Sequence, residues 1–181
     1  MLQVLGTVYP PGRRVQVALA SYCIVQDHHI AIAILLEEEL YASAFALSRA
    51  LYEATVKGVW LSYCANDAKA EKYARGQELP PLGELLNDLS KAGLPEVIQI
   101  QLENVKKKYW KVLSSLTHAG HAQMKRWLSQ CGVEPVYLDA EVLELVNFTA
   151  VFAIIAALER ARLGLNTKAM SQIASLLPAS E

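Results

Sequence analysis

Residues Leu40–Cys64, LYASAFALSRALYEATVKGVWLSYC, constrain the fold more than any other stretch of this chain. Wound as an α-helix, they place Phe45, Arg49, Glu53, Val56, Trp60 and Tyr63 on one stripe, at steps of three and four residues. Such a stripe has to face other helices, yet it carries two full charges. A lone charge on a core face is costly, so Arg49 and Glu53 have to be paired, and a spacing of four residues lets them meet. Two readings fit the pair: an ion pair that ties helices together, or a polar group facing a cleft with His118 across it.

The rest of the chain reads as helix as well. A helix is expected from about Arg13 to Leu36, apolar nearly all round between Val15 and Val25, and the acidic run Glu37–Glu39 marks the junction to the second helix. Asn66 and Asp67 cap a short helix to about Arg75, and another short one follows Pro81 and closes at Gly93. Pro95 opens a long helix with the stripe Ile98, Leu102, Val105, Tyr109, Val112 and Leu116, ended by Gly120; HAQMKRWLSQ continues as a short helix. Asp139 begins the last long helix, to about Leu163, on which Ala150, Ala153, Ala157 and Ala161 form a face that a second helix can approach closely. Thr167 then caps a short helix that Pro178 closes. With no alternating strand pattern, the expected fold is all-α, a bundle of four long helices with two to four short ones. Residues 1–12 are an extended lead-in, 13–177 one domain and 178–181 a tail.

A net charge of −1 provides no field to attract nucleic acid or acidic lipid, so any nucleic-acid contact needs a local basic patch. The three cysteines, Cys23, Cys64 and Cys131, are scattered without metal-ligand spacing, which fits free thiols in a reducing compartment. The uninterrupted apolar runs fall short of the ~20 residues of a membrane span, and the first residues lack the basic start of a signal peptide. The expectation is a cytoplasmic protein with no membrane contact.

The basic patch is found in Lys106–Lys125, where one helix face carries Lys107, Lys111, Ser114 and His118, with His121 and Lys125 extending the line. Ser114 and His118 are four apart, close enough for hydroxyl and imidazole to bond, and a helix C-terminus favours protonated histidine. A histidine beside lysines suits general acid–base work on a phosphate; a solvated basic face is the plainer alternative. Trp60 and Trp110 read as core or interface anchors that could also wall a ligand site. His28 and His29 point to different sides, and His118-x-x-His121 has no completing carboxylate, so neither a metal site nor a cofactor is expected.

Two segments carry a resemblance. Ser43-Ala-Phe-Ala-Leu-Ser-Arg49-Ala-Leu-Tyr-Glu53, continuing to Trp60 and Cys64-Ala65, and Tyr109-Trp110-Lys-Val-Leu-Ser114-Ser-Leu-Thr-His118-Ala-Gly120 resemble the signature helices of a bacterial all-helical family of unknown function. The match runs from about Arg13 to Leu163. Related families are grouped with HEPN (higher eukaryotes and prokaryotes nucleotide-binding) domains, helical bundles that are often dimeric and include ribonucleases and phage-defence toxins. The resemblance implies a homodimer, RNA as a substrate, and a metal-independent ribonuclease site. Arg49, Glu53, Ser114 and His118 would be its catalytic candidates; Lys107, Lys111, His121, Trp60 and Trp110 would bind. The HEPN nuclease hallmark is an arginine, four to six spacer residues and a histidine on one helix; here Lys111 holds the place upstream of His118, and Arg49 serves only if the fold brings it across from another helix. The rival expectation is a non-catalytic module that dimerises, binds a protein partner or holds a small ligand between helices.

Overall fold

The computed structural model describes residues 9–176, and the sequence-based lead-in before Tyr9 and the closing Pro178 lie outside them. The chain is all-α. Long helices α1 (Arg13–Glu37) and α2 (Tyr41–Tyr63) form an antiparallel pair; short α3 (Asp67–Ala74) and α4 (Leu82–Leu89) follow. Helix α5 (Glu96–Asn104) runs through a π-helical turn (Val105–Tyr109) into α6 (Trp110–Thr117); then come α7 (His121–Met124), a 3-10 turn (Lys125–Trp127), long α8 (Asp139–Leu163) and α9 (Thr167–Ala174). Helix α2 is the centre, with α1, α4, α6 and α8 all packed on it. Leu51, Tyr52, Val56, Val59 and Leu61 are wholly buried there, which is why its sequence stays apolar around most of its circumference.

The closest approach is between α1 and α2. A side-chain carbon at Gly58 would stand 2.6 Å from the ring of Tyr22, so glycine is required by space at this crossing. The Tyr22 hydroxyl lies 2.9 Å from the Ser62 hydroxyl, which satisfies the one polar atom of a fully buried ring. At the start of α1 no local side chain caps the helix; Asp67 of α3 accepts the Arg14 backbone N–H at 2.7 Å instead.

Several local expectations are corrected. The acidic run does not open α2: Glu37 ends α1, Glu38 follows it, and Glu39 takes the left-handed conformation at φ 56° that lets the Leu40 N–H return to the Leu35 carbonyl. Likewise Ala119, not Gly120, adopts positive φ after α6; α8 does end at Gly164, and Leu165 takes the left-handed turn after it. Gly120 is needed for room, because a side chain there would meet the Ser115 backbone at 3.1 Å. The helix expected over 121–130 stops early: the Ser129 hydroxyl accepts the N–H groups of Cys131 and Gly132, and Leu128 bridges Val133, so a turn competes successfully with the helix.

The apolar stripe after Pro95 is also shifted. Ile98, Leu102, Val105 and Leu116 are buried as expected, but Tyr109 and Val112 are exposed and Leu113 is buried. The π turn falls at this shift: its wider winding takes up one extra residue and changes the phase of the side chains beside it. Finally, α1 and α8, each of 25 residues, are long and apolar enough to cross a membrane by length and composition, which uninterrupted runs underestimate. The alanine face of α8 is not vacant: Ala153 and Ala161 are buried, and the Gln26 side chain of α1 donates to the Ala153 carbonyl at 2.8 Å.

Two expected outcomes test this packing. Gly58→Ala must push the Tyr22 ring out of a fully packed site and should destabilise the protein by about 1–3 kcal/mol, read as a lower denaturant midpoint. Glu39→Gly relieves a left-handed side chain and removes a negative charge from a helix C-terminus, and should raise stability by about 1 kcal/mol, roughly 2–4 °C in thermal melting.

Candidate functional site

The two charges of the α2 stripe lie at its edge, where α6 crosses. Arg49 and Glu53 are joined by a 2.7 Å bond from Nε to Oε1, with 22% and 28% of their side-chain surface exposed. That exposure decides the energetics: a half-open pair four residues apart contributes about 0.3–0.5 kcal/mol, far too little to hold two helices together. The anchoring of α6 comes from buried Leu113 and Leu116 and from the Thr117 hydroxyl, which donates to the Ala46 carbonyl of α2 at 3.1 Å. The charges are therefore not what the bundle needs for its stability.

Across from Arg49 stands His118, the residue that ends α6. Arg49 Nη1 lies 2.8 Å from His118 Nε2. A guanidinium carries only donors, so in this contact Nε2 is the acceptor. Arg49 Cζ also sits 4.7 Å from the centroid of the Trp110 ring, stacked on the indole face. Trp110 in turn packs against Tyr52, whose hydroxyl donates to the Leu102 carbonyl at 2.7 Å. One arginine is thus held on three sides, by a carboxylate, an imidazole and an indole, while His118 is exposed at the surface.

Two backbone features create this arrangement. The π turn directly precedes Trp110 and sets the phase at which Trp110, Ser114 and His118, four residues apart, come round toward α2. The left-handed Ala119 then turns the chain sharply, and α7 returns to α2, where the Gln123 side chain donates to the Ala42 carbonyl at 2.8 Å.

Arg49, Glu53, His118 and Trp110 are therefore brought together. Ser114 lies on the same side of α6, but it meets His118 through its carbonyl, which accepts the His118 N–H at 3.1 Å; among the described residues its hydroxyl has no hydrogen-bond partner. Lys111 and His121 are exposed, and Lys107 is paired with Glu103 at 2.9 Å. Trp60 lies apart: it is buried, donates to Asp88 of α4 at 3.0 Å and has Lys69 over its ring.

Sequence reasoning missed a second polar cluster. Glu159 of α8 is 1% exposed, accepts from the Tyr63 hydroxyl at 3.0 Å and is paired with Arg162, which also stacks on the Tyr63 ring. Burial, and then the nearby Glu159 carboxylate, push the Tyr63 hydroxyl well above the usual phenol range. The three-residue spacing of Glu159 and Arg162 was the available signal, but a charged pair near a helix end looks like surface in a sequence. Arg126 was missed as well: it lies against the rings of Phe45 and Tyr137 and pairs with Glu141 at 2.7 Å.

Comparison with curated proteins finds no match, and neither does comparison with solved structures. One family model spans residues 22–179, a stretch that takes in both segments of the Arg49–His118 cluster. The chain belongs to that family, a family of unknown function (DUF6988).

Proposed function

We propose that the Arg49–Glu53–His118 cluster cleaves RNA without a metal ion, in a HEPN-like bundle that works in the cytoplasm and serves in defence or a toxin–antitoxin pair. The observation that carries this reading is the 2.8 Å contact between Arg49 and His118, residues 69 positions apart that come from two helices. It supplies across the fold the arginine that the upstream position Lys111 does not. An incoming phosphodiester competes with His118 for the guanidinium. When Arg49 turns to the phosphate oxygens, Nε2 of His118 is released to take the proton of the ribose 2′-hydroxyl. The 2′-oxygen then forms a bond to phosphorus, the bond to the 5′-oxygen breaks, and that oxygen leaves with a proton from water. Arg49 stabilises the charge that gathers on phosphorus, and Glu53 keeps the guanidinium oriented. Trp110 offers a ring edge for a base, and the exposed Lys111 adds charge for the backbone.

The purified protein should cut single-stranded RNA and leave 2′-deoxy substitution at the cut site uncut. His118→Ala and Arg49→Ala, checked for fold by circular dichroism, should each lose at least ~100-fold in rate. A folded His118→Ala protein that cuts as fast as the parent, or a parent that cuts no RNA across pH 5–9, overturns the reading.

A second reading, a dimerising module, is favoured by one observation: Ile24, Ile30 and Ile34 on α1 are 46–53% exposed, on a helix that is apolar nearly all round. A homodimer that covers this face fits both readings and needs no membrane. Light scattering should give twice the chain mass, and Ile24→Glu with Ile34→Glu should return the single-chain mass; a monomeric parent removes the dimer from both.

A further inference from the structure

On the other side of α6 from His118 lies a cleft of about 230 Å³. It exists because α6 and α8 both pack on α2 and scarcely on each other. Phe45 of α2 is among its lining residues; Leu113 and Leu116 of α6 stand on one side, and Leu145 and Phe148 of α8 on the other. The lining is mostly apolar, and its size is ample for a ring with a short chain, since ~150 Å³ of apolar space accepts benzene. It is too small for a partner helix, whose diameter with side chains is about 10–12 Å.

Three charged side chains line the cleft: Arg126, Glu141 and Glu144. Arg126 donates through Nη2 to Glu141 at 2.7 Å and through Nη1 to the Ala122 carbonyl at 2.6 Å, while its enclosed Nε has no hydrogen-bond partner among the described residues. Glu144 has no cationic partner among the described residues. Its neighbour is Tyr109 of the π turn, whose phenol is pushed up by burial and then by the Glu144 carboxylate. Glu144 lines both this cleft and the adjoining hollow beyond Tyr109, whereas Lys108 lines only the latter and forms no ion pair with Glu144. The uncompensated charge in the cleft is therefore negative, and it sits beside two aromatic faces, Tyr109 and Phe148.

We infer that the cleft binds a small aromatic amine, its ring held among Phe45, Leu113, Leu145 and Phe148 and its ammonium on the Glu144 carboxylate. An aromatic carboxylate of the same size would meet two acids and one already neutralised arginine, and is disfavoured. The inference is independent of RNA cleavage, since none of the cleavage residues lines the cleft.

The test is a titration of the full chain by amide NMR with phenethylamine, and in parallel with phenylacetate. Phenethylamine should give saturable shifts at Phe45, Leu113, Leu145 and Phe148, with an affinity at least ~10-fold tighter than phenylacetate. Glu144→Gln, a change at an exposed position that leaves the packing alone, should erase that preference. The inference is overturned by equal binding of the two probes or by no saturable shift at those residues. It is also overturned by a preference that survives Glu144→Gln, or by concentration-dependent shifts at the same residues without any probe, which would mean a second copy closes the cleft.

Discussion

Everything in this bundle is arranged around the need to enclose α2. From Leu51 to Ser62 this helix is buried almost all round, so neighbours have to arrive from every side, and α1, α4, α6 and α8 do so. Burial on that scale contributes roughly 1.5–3 kcal/mol for each large apolar side chain and sets the positions of the surrounding helices. The few polar groups of α2 are then left to the seams between neighbours. Arg49 and Glu53 fall in the seam beside α6, Tyr63 in the seam beside α8, and each finds its partners there. The polar clusters are consequences of how the apolar core closes, not its fasteners.

That division fits the role proposed for the Arg49 cluster. Its contacts are partly open to water and each is weak, so a phosphate can displace one of them at small cost. The Glu159 cluster has the opposite character. Its carboxylate is enclosed, its two oxygens are matched by Tyr63 and Arg162, and nothing from solvent can reach it without opening the bundle.

Fold class was legible because helical periodicity and helix-ending residues are local properties. The pairing of Arg49 with Glu53 was legible for the same reason, as a four-residue spacing on one stripe. The contact between Arg49 and His118 could be posed from the sequence only as a condition on the fold, because it depends on how two distant helices dock. Three things were illegible in physical terms. The π turn carries no spacing signal, so Tyr109 and Val112 were placed inward and Leu113 was overlooked. Helix ends that use Glu39, Ala119 and Leu165 in the left-handed region defy the preference for glycine. The Glu159–Arg162 pair reads as surface until α1 and α2 are seen to enclose its carboxylate.

The π turn also makes the cluster sensitive to how the helix is wound as well as to residue type. Relaxation of Val105–Tyr109 to an ordinary α-helix with all its residues kept would turn everything after it by about 100°. Trp110 and His118 would then swing off α2 together, with every side chain of the cluster still present in the chain. How one extra residue is wound into a stretch of lysines thus decides whether the arginine has a histidine to face.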